Sequence, residues 1–219
     1  MISKLSRPRY ARSLLSLHKR PRYNIHMPIE NVIIGANCLM HLLYNSGLVK
    51  QESIEKHFYL NKHNIDQGRY YTIYTSSFAH ANLLHLAANC FTLKFVSAHV
   101  ATAFGNPIFL ELHLLGGILG GLCAYYYDGR RSGRSTIGAS SSICAHFSFL
   151  VCMVPSLSFY MFLIPIPIPG PYLALAFGAY SFYQRRNLTG FISHSGHFGG
   201  LMGGLLFYIY VVMKYSRRS

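Results

Sequence analysis

Three clusters of side chains that could do chemistry lie inside or beside apolar segments, where ionisable and nucleophilic groups are candidate functional residues. The first cluster is the pattern His80-x4-His85-x3-Asn89. His85 and Asn89 are four residues apart, so they share one face of a helix, and both can donate hydrogen bonds into a cavity. Polar contact between two helices is the competing interpretation of such a pair.

The second cluster is the run Gly138-Ala-Ser140-Ser at the predicted start of another helix. Glycine permits a tight turn into the helix, and Ser140 falls in its first turn. Unpaired backbone N–H groups and the positive end of the helix dipole lie there, which suits a developing oxyanion. Because serine is common at helix starts, this run is weak support when taken alone.

The third cluster, His194-Ser-Gly-His197-Phe-Gly-Gly, lies in the last apolar segment. Gly200 and Gly204 share the helical face of His197. Ser140 is followed at four-residue intervals by further small residues, namely Cys144, Ser148 and Cys152. Packing these two faces together would bring His197 towards Ser140, as required for a Ser-His pair whose imidazole accepts the hydroxyl proton.

Other hydrolytic chemistries of membrane proteins fit the sequence less well. An HExxH zinc motif is absent, and the only aspartates, Asp66 and Asp128, lie outside the centres of the predicted spans. A metal site at His194 and His197 would lack a nearby carboxylate or thiolate, so we predict no metal and no cofactor. Glu111 is the only acid well inside a span, and this scarcity favours a Ser-His dyad over a triad.

The composition indicates that a lipid bilayer surrounds these clusters. Hydrophobic residues make up 51% of the 219 residues and charged residues only 12%, which is about half the charged share of an average soluble domain. The net charge of +14 could indicate nucleic acid binding, but the basic residues flank apolar runs and form no basic face. We therefore predict the bilayer, and no nucleic acid, as a partner.

Six apolar segments predict six membrane-spanning helices in an all-α fold. Their approximate bounds are 29–49, 83–104, 107–127, 138–155, 172–183 and 194–213. The polar segment 50–79 is expected to be the longest loop. Four prolines in 156–171 exclude a helix, so an interfacial loop is expected there. Two overlapping GxxxG pairs in the third span, at 116–121, predict close helix packing.

Residues 1–27 form a separate basic segment, and residues 28–219 form the predicted membrane domain. Seven Lys or Arg residues precede the first acid, Glu30. An arginine-rich, acid-free N-terminus is typical of a mitochondrial presequence, and a cytosolic polybasic tail beside the first span is the alternative. The first interpretation predicts a mitochondrial inner-membrane protein with a transit peptide, and the alternative location is a membrane of the secretory pathway.

Together, the three clusters resemble the rhomboid family of intramembrane serine proteases across residues 29–213. His80, His85 and Asn89 match the family's HxxxxHxxxN pattern, the run at 138–141 matches its serine motif, and His197-Phe-Gly-Gly matches its last-span histidine motif. The basic N-terminus and the proline-rich segment resemble the mitochondrial branch. The resemblance implies a six-span helical bundle whose substrates are single-span membrane proteins that unwind near a small residue.

The resemblance also implies a role for each matching residue. Ser140 is the expected nucleophile and His197 the expected general base. His85, Asn89 and the backbone N–H of Ser140 are the expected oxyanion donors. Gly138 is expected to shape the oxyanion hole, and His80 to support it.

The sequence departs from the family pattern at three places. Ser141 follows the nucleophile where the family usually has Gly, and Cys144 replaces a frequent aromatic residue that stacks on the histidine. Tyr71-Thr72 stands where a Trp-Arg pair is common. A catalytically inactive rhomboid-like protein that binds membrane helices is the alternative function, and the presence of both Ser140 and His197 favours the protease.

Overall fold

The computed structural model describes residues 28–129, 134–161, 164–185 and 192–216, and these parts of the chain are mostly helical. The predicted targeting segment, residues 1–27, lies outside them. The described helices are α1 (Ile29–Asn45), α2 (Gln51–Phe58), α3 (Lys62–Asp66), α4 (Thr72–Thr75), α5 (Leu83–Thr92), α6 (Ala98–Phe104), α7 (Asn106–Ala124), α8 (Ser140–Met153), α9 (Gly170–Gln184) and α10 (His194–Ser216). A 3₁₀ turn covers Ser76–Phe78, and π-helical turns cover Leu93–Ser97 and Tyr125–Gly129.

Three described helical stretches are long and apolar enough to cross a membrane: Leu83–Phe104, Asn106–Asp128 and His194–Lys214. They correspond to the predicted second, third and sixth spans. The π-helical turns contribute to this length, because one joins α5 to α6 and the other extends α7. The predicted first, fourth and fifth spans are also helical, but α1, α8 and α9 have only 17, 14 and 15 residues.

The polar segment 50–79 is more ordered than the loop that the sequence predicts. It contains α2, α3, α4 and the 3₁₀ turn. The buried side chain of Asn64 holds this region together, because its amide nitrogen donates to the carbonyl oxygens of Glu55 and Tyr59 at 2.9 and 2.6 Å. An isolated β-bridge between Leu60 and Thr136 joins the region to the segment that precedes α8.

The proline-rich segment forms a two-stranded antiparallel hairpin, in which β1 is Ser158–Met161 and β2 is Ile164–Pro169. Phe159 lies opposite Ile168, and Ser158 lies opposite Pro169. Proline excludes a helix, as predicted, but its fixed φ is compatible with an extended strand at a sheet edge. This segment therefore contains two short strands where the sequence predicts an interfacial loop, within described residues that are otherwise mostly helical.

Glycines bring α7 and α10 into close contact with α8. A Cβ atom at Gly116 of α7 would overlap the Cβ atom of Ala145 in α8, and one at Gly120 would overlap the side chain of Ser141. A Cβ atom at Gly200 of α10 would overlap the backbone of Ser141 from the other side. These contacts confirm the predicted packing role of the GxxxG pairs, and they fix the first turn of α8 between two neighbouring helices.

The apolar core lies further along the same helices. Buried Phe109 of α7, Phe149 of α8 and Phe207 of α10 belong to one cluster. The rings of Phe149 and Phe207 meet edge to face, with centroids 5.5 Å apart. This cluster packs the three helices together about two turns beyond Ser140, and so it fixes α8 and α10 relative to each other below their first turns.

Candidate active site

Ser140 and His197 are in hydrogen-bond contact. The distance from His197 Nε2 to Ser140 Oγ is 2.8 Å. Each residue lies in the first turn of its helix, Ser140 in α8 and His197 in α10. When the serine hydroxyl donates to Nε2, the proton of the neutral imidazole is on Nδ1. Among the described residues, Nδ1 is buried and has no hydrogen-bond partner, so no third side chain contacts this nitrogen there.

The two small-residue faces predicted from the sequence produce this contact. Gly200 lies against the backbone of Ser141, and Gly204 lies against Ala145 and Ser148, so closely that a Cβ atom at either glycine would overlap α8. The hydroxyl of Ser148 also donates to the carbonyl oxygen of Leu201 at 2.8 Å. The close approach of α10 to α8 therefore depends on glycine in α10 and on small side chains in α8.

His85 lies directly beside Gly138, which precedes the first turn of α8. Gly138 has a φ of +119°, and a Cβ atom there would lie 2.7 Å from His85 Cε1. Both observations require glycine. The backbone N–H of Ala81 donates to His85 Nδ1 at 3.4 Å, so the imidazole proton is on Nε2. Nε2 lies on the ring edge next to Gly138, where it can donate to a bound oxygen.

Asn89 lies one turn after His85 in α5. Its amide nitrogen donates to the carbonyl oxygen of His85 at 2.8 Å. A primary amide has two N–H groups, so one N–H remains for a further acceptor. The oxygen Oδ1 is buried and has no partner among the described residues. Asn89 can thus supply one hydrogen bond to the cavity.

His80 supports His85 from behind. Its ring meets the His85 ring edge to face, with centroids 5.1 Å apart. Only 3% of His80 is exposed. Burial, with a smaller contribution from neighbouring His85, lowers the pKa of His80 to about 4. A neutral His80 therefore packs against His85 at physiological pH, and its predicted supporting role stays a prediction.

A cavity of about 310 Å³ connects the predicted site residues. His85, Asn89, Gly138, Ser140 and His197 all line it, and His80 lies outside its wall. Within the described residues, no three His, Cys, Asp or Glu side chains lie close enough together to hold a metal ion. The cavity therefore brings the hydrogen-bonded pair of Ser140 and His197 and several hydrogen-bond donors around a single space.

The sequence did not indicate the aromatic ring that contacts His197. Phe177 of α9 lies with its ring centroid 5.6 Å from that of His197, at an interplanar angle of 39°. Cys144, at the position where the family frequently has an aromatic residue, is buried and lines the cavity. Because Phe177 lies in α9 and His197 in α10, no spacing within a single helix connects the ring with the histidine.

A second group that the sequence did not indicate is a carboxylate behind the start of α10. Asp128, at the end of the third span, accepts hydrogen bonds from the hydroxyls of Ser193 and Ser195 at 2.8 and 2.6 Å. The scarcity of acids in the chain was the available signal. It did not point to Asp128, because this residue lies at the end of a span and 12 positions before Ser140.

The described residues form a mostly helical membrane domain in which Ser140 and His197 line one cavity. The Rhomboid domain family matches residues 67–214, more than half of the chain, and the chain belongs to the rhomboid family. It is 25% identical over 189 residues to RHOMBOID-like protein 12, mitochondrial, of Arabidopsis thaliana, which covers 78% of this chain and 55% of that relative.

A second relative is Presenilin-associated rhomboid-like protein A, mitochondrial, of Danio rerio. The two chains are 25% identical over 139 residues, which covers 59% of this chain and 34% of the relative. The chain therefore spans about half and about a third of the lengths of these two relatives. The membrane-spanning helices and the mitochondrial relatives identify an integral mitochondrial membrane protein, as the sequence predicted.

Proposed function

We propose that this protein is an intramembrane serine endopeptidase with Ser140 as nucleophile and His197 as general base. The observation that carries the proposal is the 2.8 Å contact between His197 Nε2 and Ser140 Oγ. A serine hydroxyl is a weak nucleophile unless an adjacent base accepts its proton. The pair lies on the wall of a cavity that also contains hydrogen-bond donors, which is the second requirement for acyl transfer.

The proposed reaction begins when Ser140 Oγ attacks a peptide carbonyl carbon and its proton passes to His197 Nε2. The carbonyl oxygen becomes an oxyanion, which accepts hydrogen bonds from His85 Nε2, from Asn89 Nδ2 and from the backbone N–H of Ser140. The intermediate then collapses, and His197 donates the proton to the leaving amine. Water, deprotonated by the same imidazole, attacks the acyl-enzyme and releases the second product and the serine.

The contacts of Ser141 and Phe177 account for two departures from the family pattern. The Ser141 side chain fits between Gly120 of α7 and Gly196 of α10, since a Cβ atom at Gly196 would lie 3.0 Å from Ser141 Oγ. Serine is thus tolerated after the nucleophile because both neighbours are glycine. Phe177 contacts His197, so α9 supplies an aromatic ring that Cys144 of α8 does not.

The wider proposal is that the protein has six spans and cleaves single-span proteins of the mitochondrial inner membrane. In this proposal, α1, α8 and α9 are three further spans, in addition to the three long helical stretches described above. Residues 1–27 would direct the chain to mitochondria. Deleting residues 1–25 of a fluorescently tagged protein is expected to abolish mitochondrial localisation in cells, and unchanged localisation would remove the targeting proposal.

The decisive experiment is labelling of the purified protein with a serine-reactive fluorophosphonate, combined with cleavage of a single-span test substrate in reconstituted membranes. Ser140→Ala and His197→Ala are each expected to abolish cleavage and labelling in folded, inserted protein. Ser158→Ala is the matched control, because Ser158 is an exposed serine in the hairpin that follows the opposite end of α8. Near-normal cleavage by Ser140→Ala would contradict the proposal, and wild-type protein that binds the substrate without cutting or labelling would favour the inactive alternative.

A further inference from the structure

A buried carboxylate lies beside the start of the helix that carries His197. Asp128 belongs to the π-helical turn Tyr125–Gly129 that ends the third span, and only 7% of it is exposed. Among the described acids, only Glu30 is comparably buried, and it pairs with Lys94 at 3.3 Å. Burying an ionised carboxylate is costly unless hydrogen bonds or charges replace its hydration. The groups that donate hydrogen bonds to Asp128 therefore indicate the structural role of this carboxylate.

Two serines at the start of α10 donate to the same oxygen of this carboxylate. The distance to Asp128 Oδ2 is 2.6 Å from Ser195 Oγ and 2.8 Å from Ser193 Oγ. Hydrogen bonds to an ionised acceptor are short and about twice as strong as those between neutral groups. A negative charge here also interacts favourably with the positive end of the α10 dipole. The carboxylate thus stabilises this helix terminus in two ways.

Ser193 transmits this anchoring to the backbone around His197. Its hydroxyl accepts a hydrogen bond from the backbone N–H of Gly196 at 3.1 Å, which is the arrangement of a helix N-cap. Its carbonyl oxygen accepts from the backbone N–H of His197, also at 3.1 Å. Because the single proton of the hydroxyl goes to Asp128, its lone pairs face Gly196. The carboxylate therefore orients the cap, and the cap holds the turn that contains His197.

We infer that Asp128 is a positioning residue for His197, an inference that deepens the proposed function and rests on it. It acts through Ser193 and Ser195, since His197 Nδ1 has no hydrogen-bond partner among the described residues. It is thus not the third member of a triad. A small rotation of the first turn of α10 would lengthen the 2.8 Å contact between His197 and Ser140. A misplacement of about 1 Å in an active site can cost about 10²-fold in rate.

The test compares Asp128→Ala, Asp128→Asn and Ser195→Ala in purified protein. We expect kcat on the single-span test substrate, and the rate of Ser140 labelling by the fluorophosphonate, to fall about 10²-fold in Asp128→Ala. Asparagine keeps an acceptor oxygen without the charge, so a fall of about tenfold is expected for Asp128→Asn. Ser195→Ala removes one donor and is expected to lie between wild type and Asp128→Ala. KM is expected to stay unchanged, because Asp128 does not line the cavity of Ser140.

The matched control is Asp66→Asn, which removes an equal charge from an exposed ion pair with Lys62. It is expected to keep wild-type kcat and labelling. Wild-type rates in Asp128→Ala would overturn the inference. The inference would also be overturned if kcat and labelling of Asp128→Ala fell only in proportion to its unfolded fraction, measured by thermal denaturation, while Ser195→Ala kept wild-type kcat and labelling. The variant Ser140→Ala separates the two proposals. Cleavage by Ser140→Ala would refute the proposed function. An inactive Ser140→Ala together with wild-type rates in Asp128→Ala would refute only the positioning role.

Discussion

The proposed nucleophile and base occupy equivalent places, the first turns of α8 and α10, but they are held there by different means. The helix α8 begins without a side-chain cap. The backbone at Gly138, with its φ of +119°, lies directly against the His85 ring. The helix α10 is preceded by Ser193, whose hydroxyl caps the helix and donates to the buried carboxylate of Asp128. Ser140 is thus positioned by steric fit, whereas His197 is positioned by hydrogen bonds to a charged carboxylate.

This difference predicts different responses to substitution. A backbone packed against a ring has no space for an added atom, so a side chain at Gly138 must displace His85 or the turn itself. The hydrogen bonds to Asp128 can be weakened without being lost, because a neutral acceptor can replace the charged one at the same place. Substitutions on the serine side are therefore expected to have larger effects on catalysis than those on the histidine side.

The largest effect is expected from Gly138→Ala. The added Cβ atom would meet His85 Cε1 at 2.7 Å in a backbone conformation that alanine rarely adopts. Backbone strain of this kind costs about 1–3 kcal/mol, and the displaced His85 would leave the oxyanion site. Cleavage of the test substrate is expected to become undetectable. Gly47→Ala is the control, because Gly47 also has a positive φ, +72°, but open space around it. Activity of Gly138→Ala close to that of Gly47→Ala would contradict the steric argument.

A smaller loss is expected from Asn89→Ala, because two other donors to the oxyanion remain. Removing one such donor typically lowers kcat by about 10²–10³. The matched control is Asn45→Ala. Asn45 donates to the carbonyl oxygen of His41 at 2.7 Å, the same contact with the preceding turn that Asn89 makes with His85 at 2.8 Å. Equal kcat values for the two variants would show that Asn89 is only a structural contact within α5.

A still smaller loss is expected from Phe177→Ala, which removes the ring beside His197. Aromatic contacts of this kind contribute about 0.5–1.5 kcal/mol, so kcat is expected to fall up to about tenfold. Phe177→Tyr keeps the ring and is expected to retain most of the activity. Phe182→Ala is the control, since Phe182 lies on the same helix and packs against Phe198 at 5.3 Å. Similar kcat values for Phe177→Ala and Phe182→Ala would exclude a role of the ring in holding His197.

The contact between Ser140 and His197 could be predicted because the information is local to each helix. Small residues every three or four positions define a face in α8 and another in α10, and two such faces can approach closely. Gly138 was predictable for the same reason, since a glycine before a helix start indicates a special turn. In each case the residue types of one segment were sufficient.

Phe177, Asp128 and the hairpin could not be predicted in this way. The contact of Phe177 with His197 depends on how α9 packs against α10, which no periodicity within α9 specifies. The role of Asp128 depends on serines 65 and 67 positions later in the chain. The prolines of β2 exclude a helix without selecting between a loop and a strand. In the segment 50–79, buried contacts such as that of Asn64 provide order that its polar composition does not indicate.

The smallest effect is expected from Ser148→Ala, which tests whether the packing of α8 on α10 below the site also sets its geometry. Ser148 donates to the carbonyl oxygen of Leu201 at 2.8 Å, about 12 Å along the helix from Ser140. Hydrogen bonds between membrane helices contribute about 0.6 kcal/mol on average, so the unfolding free energy in micelles is expected to fall by about that amount. The turn of Ser140 is fixed separately, by Gly120 and Gly200 against Ser141, so kcat is expected to stay at the wild-type value. A clear fall in kcat without loss of stability would show instead that contacts two turns away align the serine with the histidine.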